Sequence, residues 1–372
     1  MRLPGGVGFV GFVGLVGFVG LGGLGGMYSC SEGPEGSEAP EGPSLTPIAF
    51  SGTLKEAQAV TRAATPLKDL YSHFTVYGYK NTGYSNDEYT DPQMVFPGYV
   101  VNWTENSAAA TATNSNGWEY VNQQPQGETE QTVKYWDWGA TAYRFFGVVD
   151  VTPVSAETTA TTETTLTMTV DAGDGVASVP YYSHLWFSNG NGAQYPGKLF
   201  GHPVQMEFVQ PISRVRFLFI FAEAEMTRGL LASPKFRPTD GSKIARKGTV
   251  AIHYPLQGTA TTEHFTTTAN SDQALDAFTE DYEDDDKPYT QSDGGWYNVL
   301  PMHAQGTYTL TVKVADEENY AIVPAEYMTW QPGYQYTYIF KITDVGGVEL
   351  ESVNSAFTTW TEMNGDHSVY NW

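Results

Sequence analysis

Thr307–Val314 reads TYTLTVKV, so in an extended chain Tyr308, Leu310, Val312 and Val314 share one face, and Thr and Lys the other. That two-residue period describes a half-buried β-strand and is incompatible with an amphipathic helix. Short segments of the same kind, rich in Val, Ile, Thr, Tyr and Phe and bounded by Gly, Pro, Asn and Asp, recur from Leu45 onward. Strands are expected over Pro47–Ser51, His73–Tyr79, Tyr143–Val151, Leu166–Val170 and Val204–Val209. Further strands are expected over Val215–Ala222, Thr249–Tyr254, Thr307–Val314, Tyr334–Thr343 and Val348–Leu350. Val215–Ala222 (VRFLFIFA) is almost continuously apolar, which predicts a central strand buried on both faces. The Thr-rich stretch Val151–Thr169 reads as a strand-rich excursion. Only Leu54–Arg62 and Ser271–Phe278 suggest short helices. The fold class is all-β, arranged as two sandwiches. Asn189–Gly201 (NGNGAQYPGKLFG) is loop chemistry, and a fresh series of strands follows it. The expected division is therefore 46–201 and 202–372, each long enough for its own core.

The 42 Asp and Glu against 19 Lys and Arg give a formal net charge of −23. A chain this acidic repels a phosphate backbone, so a nucleic-acid partner is not expected. One Cys rules out a disulfide framework and any Cys-based zinc site. Aromatic residues at 14% supply the bulk for a packed core despite the modest content of charge.

The N-terminus is different in kind. Gly5–Gly26 is an uncharged run, half of it glycine, placed behind Arg2. A charged start, an apolar middle and a small residue before a cut site describe a secretory signal, here 1–29. The run ends in Met27-Tyr28-Ser29-Cys30, which resembles the lipobox of bacterial lipoproteins. That resemblance implies acylation at Cys30; the alternative is an incidental free thiol behind a signal or anchor. Ser31–Pro43 (SEGPEGSEAPEGP) cannot bury apolar area, so 30–45 is expected to be a flexible acidic tether. An acidic stretch placed there also resembles the surface-export signal of Bacteroidetes lipoproteins.

No catalytic constellation stands out. Phosphate-loop, GxSxG and HExxH patterns are missing from the sequence. The seven His are scattered, none within four positions of another, and no metal site or cofactor is expected from them. The acidic run Glu280–Asp286 offers carboxylates for calcium, but without the ligand spacing of a Ca loop it reads better as a solvated loop.

Taken in order, a set of segments does resemble a known family. They are Pro47–Ser51, Thr61-Arg62-Ala63, Phe74–Tyr79, Trp118-Glu119-Tyr120, Lys134–Trp138, Tyr143–Phe146, Val204–Phe219, Tyr334–Ile342 and Trp360. This order and spacing resembles the fimbrillins of Bacteroidetes, subunits of type V pili. The resemblance implies two transthyretin-like β-sandwich domains in tandem and no enzyme activity. It implies a lipoprotein precursor at the outer membrane, cut after an Arg by a trypsin-like protease so that its first strand is lost. The vacated groove then takes a strand from the next pilin subunit, and adhesion brings a host protein or glycan as a further partner. Mapped here, the removable strand is 46–54, with Ile48 and Phe50 as its core contacts. The expected cut lies between Arg62 and Ala63, with Lys55 as a competitor and a purely structural Arg62 as the alternative. The donor is expected in 355–372, through Phe357, Trp360, Val369, Tyr370 and Trp372, unless that tail is simply the last strand of its own domain. An uncleaved tip or anchor subunit and a surface glycan-binding lipoprotein are the competing functions.

Overall fold

The computed structural model describes residues 45–54, 66–104, 117–149, 154–159, 162–173, 179–191, 198–221, 231–240, 244–269, 274–275, 278–279, 289–291, 296–303, 306–314, 317–343 and 346–357. The alternation seen in the sequence is realised as strands throughout. Helical geometry among these residues is limited to single 3-10 turns, such as Leu67–Asp69 and Ala325–Tyr327.

The first sheet runs in the order β1 (Phe50–Leu54), β10 (Val204–Val209), β8 (Tyr181–Ser183), β5 (Ala142–Val149), β2 (His73–Ser85), β3 (Glu88–Trp103) and β4 (Trp118–Glu119), with β9 (Trp186–Ser188) also on β5. The second is β15 (His264–Ala269), β14 (Lys247–Pro255), β7 (Glu163–Asp171) and β6 (Val154–Thr159). The third is β18 (Tyr289–Gln291), β11 (Ser213–Phe221), β22 (Tyr334–Ile342) and β23 (Val348–Phe357), with β19 (Tyr297–Val299) on β11. The fourth is β17 (Phe278–Thr279), β12 (Leu231–Pro238), β20 (Tyr308–Val314) and β21 (Glu317–Val323). A two-stranded piece joins β13 (Ile244–Ala245) to β16 (Ala274–Leu275).

Every residue of β5 is buried, because the first sheet is covered on both faces. Ala142, Phe146 and Val148 face the second sheet and pack with Leu166, Met168, Val250, Ile252 and Tyr254. Phe146 lies flat on Tyr254, with ring centroids 4.0 Å apart and planes at 8°. The alternate residues Tyr143, Phe145 and Val149 face a separate aromatic core around β1. A third core, between the third and fourth sheets, holds Phe217, Phe236, Leu310, Val312, Tyr338 and Trp330.

Fully buried Arg144 ties the first two sheets together. Its guanidinium donates to Asn81 Oδ1 (3.1 Å) and to the carbonyls of Pro255 (2.9 Å), Gly258 (3.3 Å) and Ala260 (3.1 Å). The five-donor fork of Arg suits the task of capping several carbonyls in one turn.

Residue 202, the expected division, falls between β9 and β10, and the sheets are shared across it. β10 pairs with β1 and β8, and the β14–β15 hairpin pairs with β7. Two expectations need correction. β11 is central, but Arg214, Arg216 and Leu218 on its outer face are only half-buried, since the fourth sheet covers one side. The helix expected over Ser271–Phe278 gives way to β16 and the start of β17, where pairing with β13 and β12 overrides a weak local preference. Of the other expected helix, Leu54 closes β1 and the remainder lies outside the described residues.

Candidate functional site

The segment expected to be removable, 46–54, runs along the edge of the first sheet. Its inward residues alternate: Ile48, Phe50, Gly52 and Leu54 are buried while Ala49, Ser51 and Thr53 are half-buried. Gly at 52 answers a close approach, since a Cβ there would sit 2.8 Å from Leu67 Cδ2. β1 pairs in parallel with β10, Phe50 opposite Val204 and Leu54 opposite Phe208.

Backbone bonds hold both ends of the segment. Ile48 N donates to Lys134 O (2.8 Å) and Trp136 N to Thr46 O (2.9 Å). On the other side Val204 N donates to Ala49 O (2.8 Å). At the far end Thr53 and Pro66 form an antiparallel bridge, so the chain leaving β1 returns beside it.

Phe50 and Ile48 are both fully buried. Phe50 meets three rings edge-on: Phe96 at 5.1 Å, Phe145 at 5.6 Å and Tyr120 at 5.9 Å between centroids. Burial of such a ring stabilises by roughly 1.5–3 kcal/mol, and each edge-to-face pair adds about 0.5–1.5 kcal/mol. The Tyr120 hydroxyl donates to Ile48 O (2.9 Å) and accepts from Lys134 N (3.1 Å). Burial first of all pushes that phenol far above its ordinary range. Tyr120 is itself fixed from behind. Glu119 Oε1 accepts from its N–H (2.9 Å) and from that of Val121 (2.8 Å), while Gln131 Nε2 donates to its carbonyl.

β1 is therefore a plug: a short edge strand seated in an aromatic trough by its alternate side chains. Such a site can bind an extended segment with an apolar period of two, through backbone bonds on one side and pockets beneath. Tyr120 and Phe145 lie in segments that carry the family resemblance, but neither they nor Phe96 was assigned a receiving role, and Leu54 was not named as a core contact. Leu54 could have been, since it continues the period of Ile48 and Phe50.

Phe357 is the last residue of β23 and stands opposite Tyr334. Ser355–Phe357 thus belong to an ordinary antiparallel ladder with β22. Cys30, Arg62, Ala63, Trp360, Val369, Tyr370, Trp372 and the acidic run Glu280–Asp286 lie outside the described residues.

A family model described as fimbrillin-like matches residues 61–360. The chain belongs to the fimbrillin-like family. No curated protein matches it. Solved structures similar to this fimbrillin-like chain include a fimbrial protein from Bacteroides vulgatus, at 13% identity, covering 84% of this chain and 99% of its own, with a TM-score of 0.40. A candidate cell adhesion protein from Bacteroides ovatus matches at 11% identity over 84% of this chain and 98% of its own, with a TM-score of 0.39. Among the described residues of this fimbrillin-like protein, no helix is long and apolar enough to cross a membrane.

Proposed function

We propose that this fimbrillin-like protein is a structural and adhesive subunit of a type V pilus. It is exported as a lipoprotein acylated on Cys30 and polymerises by strand exchange once the segment ahead of Ala63 is cut away. The observation that carries the reading is β1 itself, an edge strand lying before Arg62 whose Ile48 and Phe50 fill an aromatic trough.

The physical support is direct. Loss of β1 would uncover Phe96, Tyr120 and Phe145 together with the unpaired edge of β10, an arrangement that strongly favours addition of another strand. Of the tail 355–372, Ser355–Phe357 are engaged with β22, so Trp360, Val369, Tyr370 and Trp372 beyond β23 supply the apolar residues for that role in a neighbouring subunit. Head-to-tail insertion of this kind does not close on itself, so it builds a filament. The partners are other pilin subunits, a trypsin-like maturation protease, outer-membrane lipid and, at adhesion, a host protein or glycan.

N-terminal sequencing of the mature protein recovered from cell-surface filaments tests the proposal. Ala63 as the first residue is the expected result. An N-terminus only at acylated Cys30 would overturn it, leaving an uncleaved tip or anchor subunit or a glycan-binding lipoprotein.

A further inference from the structure

The outer face of the second sheet carries a cluster that plays no part in the β1 trough. β14 lies between β7 and β15, with His253 opposite Thr165 on one side and His264 on the other. Glu163 is two positions from Thr165 on the same face of β7, opposite Pro255. The inward residues Ile252, Tyr254 and Phe265 are core, so the pleat turns Glu163, His253 and His264 outward together. Their potential ligand atoms all lie within 4.8 Å of one another.

The present bonds resemble a site held in readiness. His253 Nδ1 is 2.9 Å from Glu163 Oε1 and 3.2 Å from Thr165 Oγ1, while its Nε2 is 2.9 Å from Thr266 Oγ1. His264 stacks on His253 with ring centroids 4.6 Å apart and planes at 9°. The three backbones are fixed by continuous ladders through these positions, so the Cα spacing is set by the sheet. His264 is exposed and can rotate about its side-chain bonds.

We infer that Glu163, His253 and His264 form a binding site for a zinc-type divalent cation. Two imidazoles and one carboxylate suit zinc, copper or nickel, whereas calcium and magnesium prefer all-oxygen sets. Tetrahedral zinc with bonds of about 2.0–2.1 Å needs ligand atoms roughly 3.3 Å apart. Rotation of His264 and a small shift of Glu163 close the present spacing. Neutral His253 binds the cation through Nδ1 with its one ring proton on Nε2, directed at Thr266 Oγ1, so the ring loses no proton. Three protein ligands leave a fourth position for water or for a group from another molecule. Bound metal would link β7, β14 and β15 across their side chains.

Titration of the purified full chain with zinc chloride, followed by calorimetry and thermal unfolding, tests the site. One equivalent of Zn²⁺ should bind, and a hundredfold excess over Kd should raise Tm by about 4 °C. Ca²⁺ and Mg²⁺ should do neither. His264→Asn replaces an exposed side chain and should keep the metal-free Tm while abolishing the equivalent bound; Glu163→Gln should weaken it at least tenfold. Co²⁺ in place of Zn²⁺ should give the visible bands of a tetrahedral site in the parent and not in His264→Asn. Absence of stoichiometric Zn²⁺ binding by the parent, or binding that survives His264→Asn unchanged, would overturn the inference.

Discussion

The guanidinium of Arg144 lies over the ring of Phe187, 4.6 Å from its centroid, while its nitrogens serve the carbonyls at the end of β14 and the turn after it. One cation thus makes both the packing and the polar contacts that fasten the β14–β15 hairpin to the first sheet. Arg144→Met keeps much of the apolar stem but strands those carbonyls. Loss of roughly 3–5 kcal/mol is expected, read as a lower urea midpoint.

Phe50→Ala would empty the centre of the aromatic trough. The uncut chain should lose about 3–5 kcal/mol, and Phe50→Leu should cost less than that but more than about 1.5 kcal/mol, because it keeps most of the apolar volume and loses all three edge-to-face pairs. A chain beginning at Ala63 lacks residue 50, so its Tm sets the floor against which both variants are compared.

Tyr120→Phe removes a single oxygen yet leaves Ile48 O and Lys134 N without their shared partner. A cost of about 1–3 kcal/mol is expected in the uncut chain. Faster amide exchange at Lys134 would accompany it.

Gly147 faces the backbone of β2. A Cβ at this position would lie 2.6 Å from Thr75 O, which has no rotamer in which to yield. Gly147→Ala should therefore destabilise by about 1–3 kcal/mol, measured by thermal unfolding.

Burial alone would raise the carboxyl pKa of Glu263, but the hydrogen bond and charge of His184 and the N–H of Leu185 outweigh it and hold the pKa below its ordinary value. A group lowered in the folded state stabilises above its unfolded pKa, and that contribution fades as pH falls through the folded one. Acidification from pH 6 to pH 3 should thus remove stability from the parent. Glu263→Gln should be less stable at pH 7 and show a flatter acid limb in a series of Tm measurements.

Strand identity was legible wherever side chains alternate cleanly. Val204–Val209 coincides with β10, and Tyr308, Leu310, Val312 and Val314 are all buried on one face of β20. β3 was missed because Pro92 and Pro97 argue against a strand. On the side of β3 away from β2, β4 pairs only with Asn102 and Trp103 and an isolated bridge joins Tyr89 to Gly258, so neither proline faces a β4 ladder position, and register shifts lie at Val76/Tyr77 and Gly78/Tyr79. Pairing between distant strands left no local mark. Nothing in Thr249–Tyr254 shows that it will lie against β7, and so nothing brings Glu163 to His253, ninety positions away. The separation of His253 from His264 likewise looks unremarkable until the hairpin sets them opposite each other. The burial of Ile48 and Phe50 was readable from their period; the rings around them come from three separate strands and loops.

The bridge between Thr53 and Pro66 brings the chain back beside β1 across residues 54–65. A cut in that interval breaks one covalent link and none of the ladder that seats Phe50 opposite Val204. Scission alone therefore leaves the trough filled. It would turn β1 from a covalently tethered segment, at an effective concentration in the millimolar range or above, into a separate chain held only by its backbone bonds and buried side chains. Occupancy would then depend on how slowly that ligand leaves, so a subunit cut there would keep a timed delay before any competing strand could take its place.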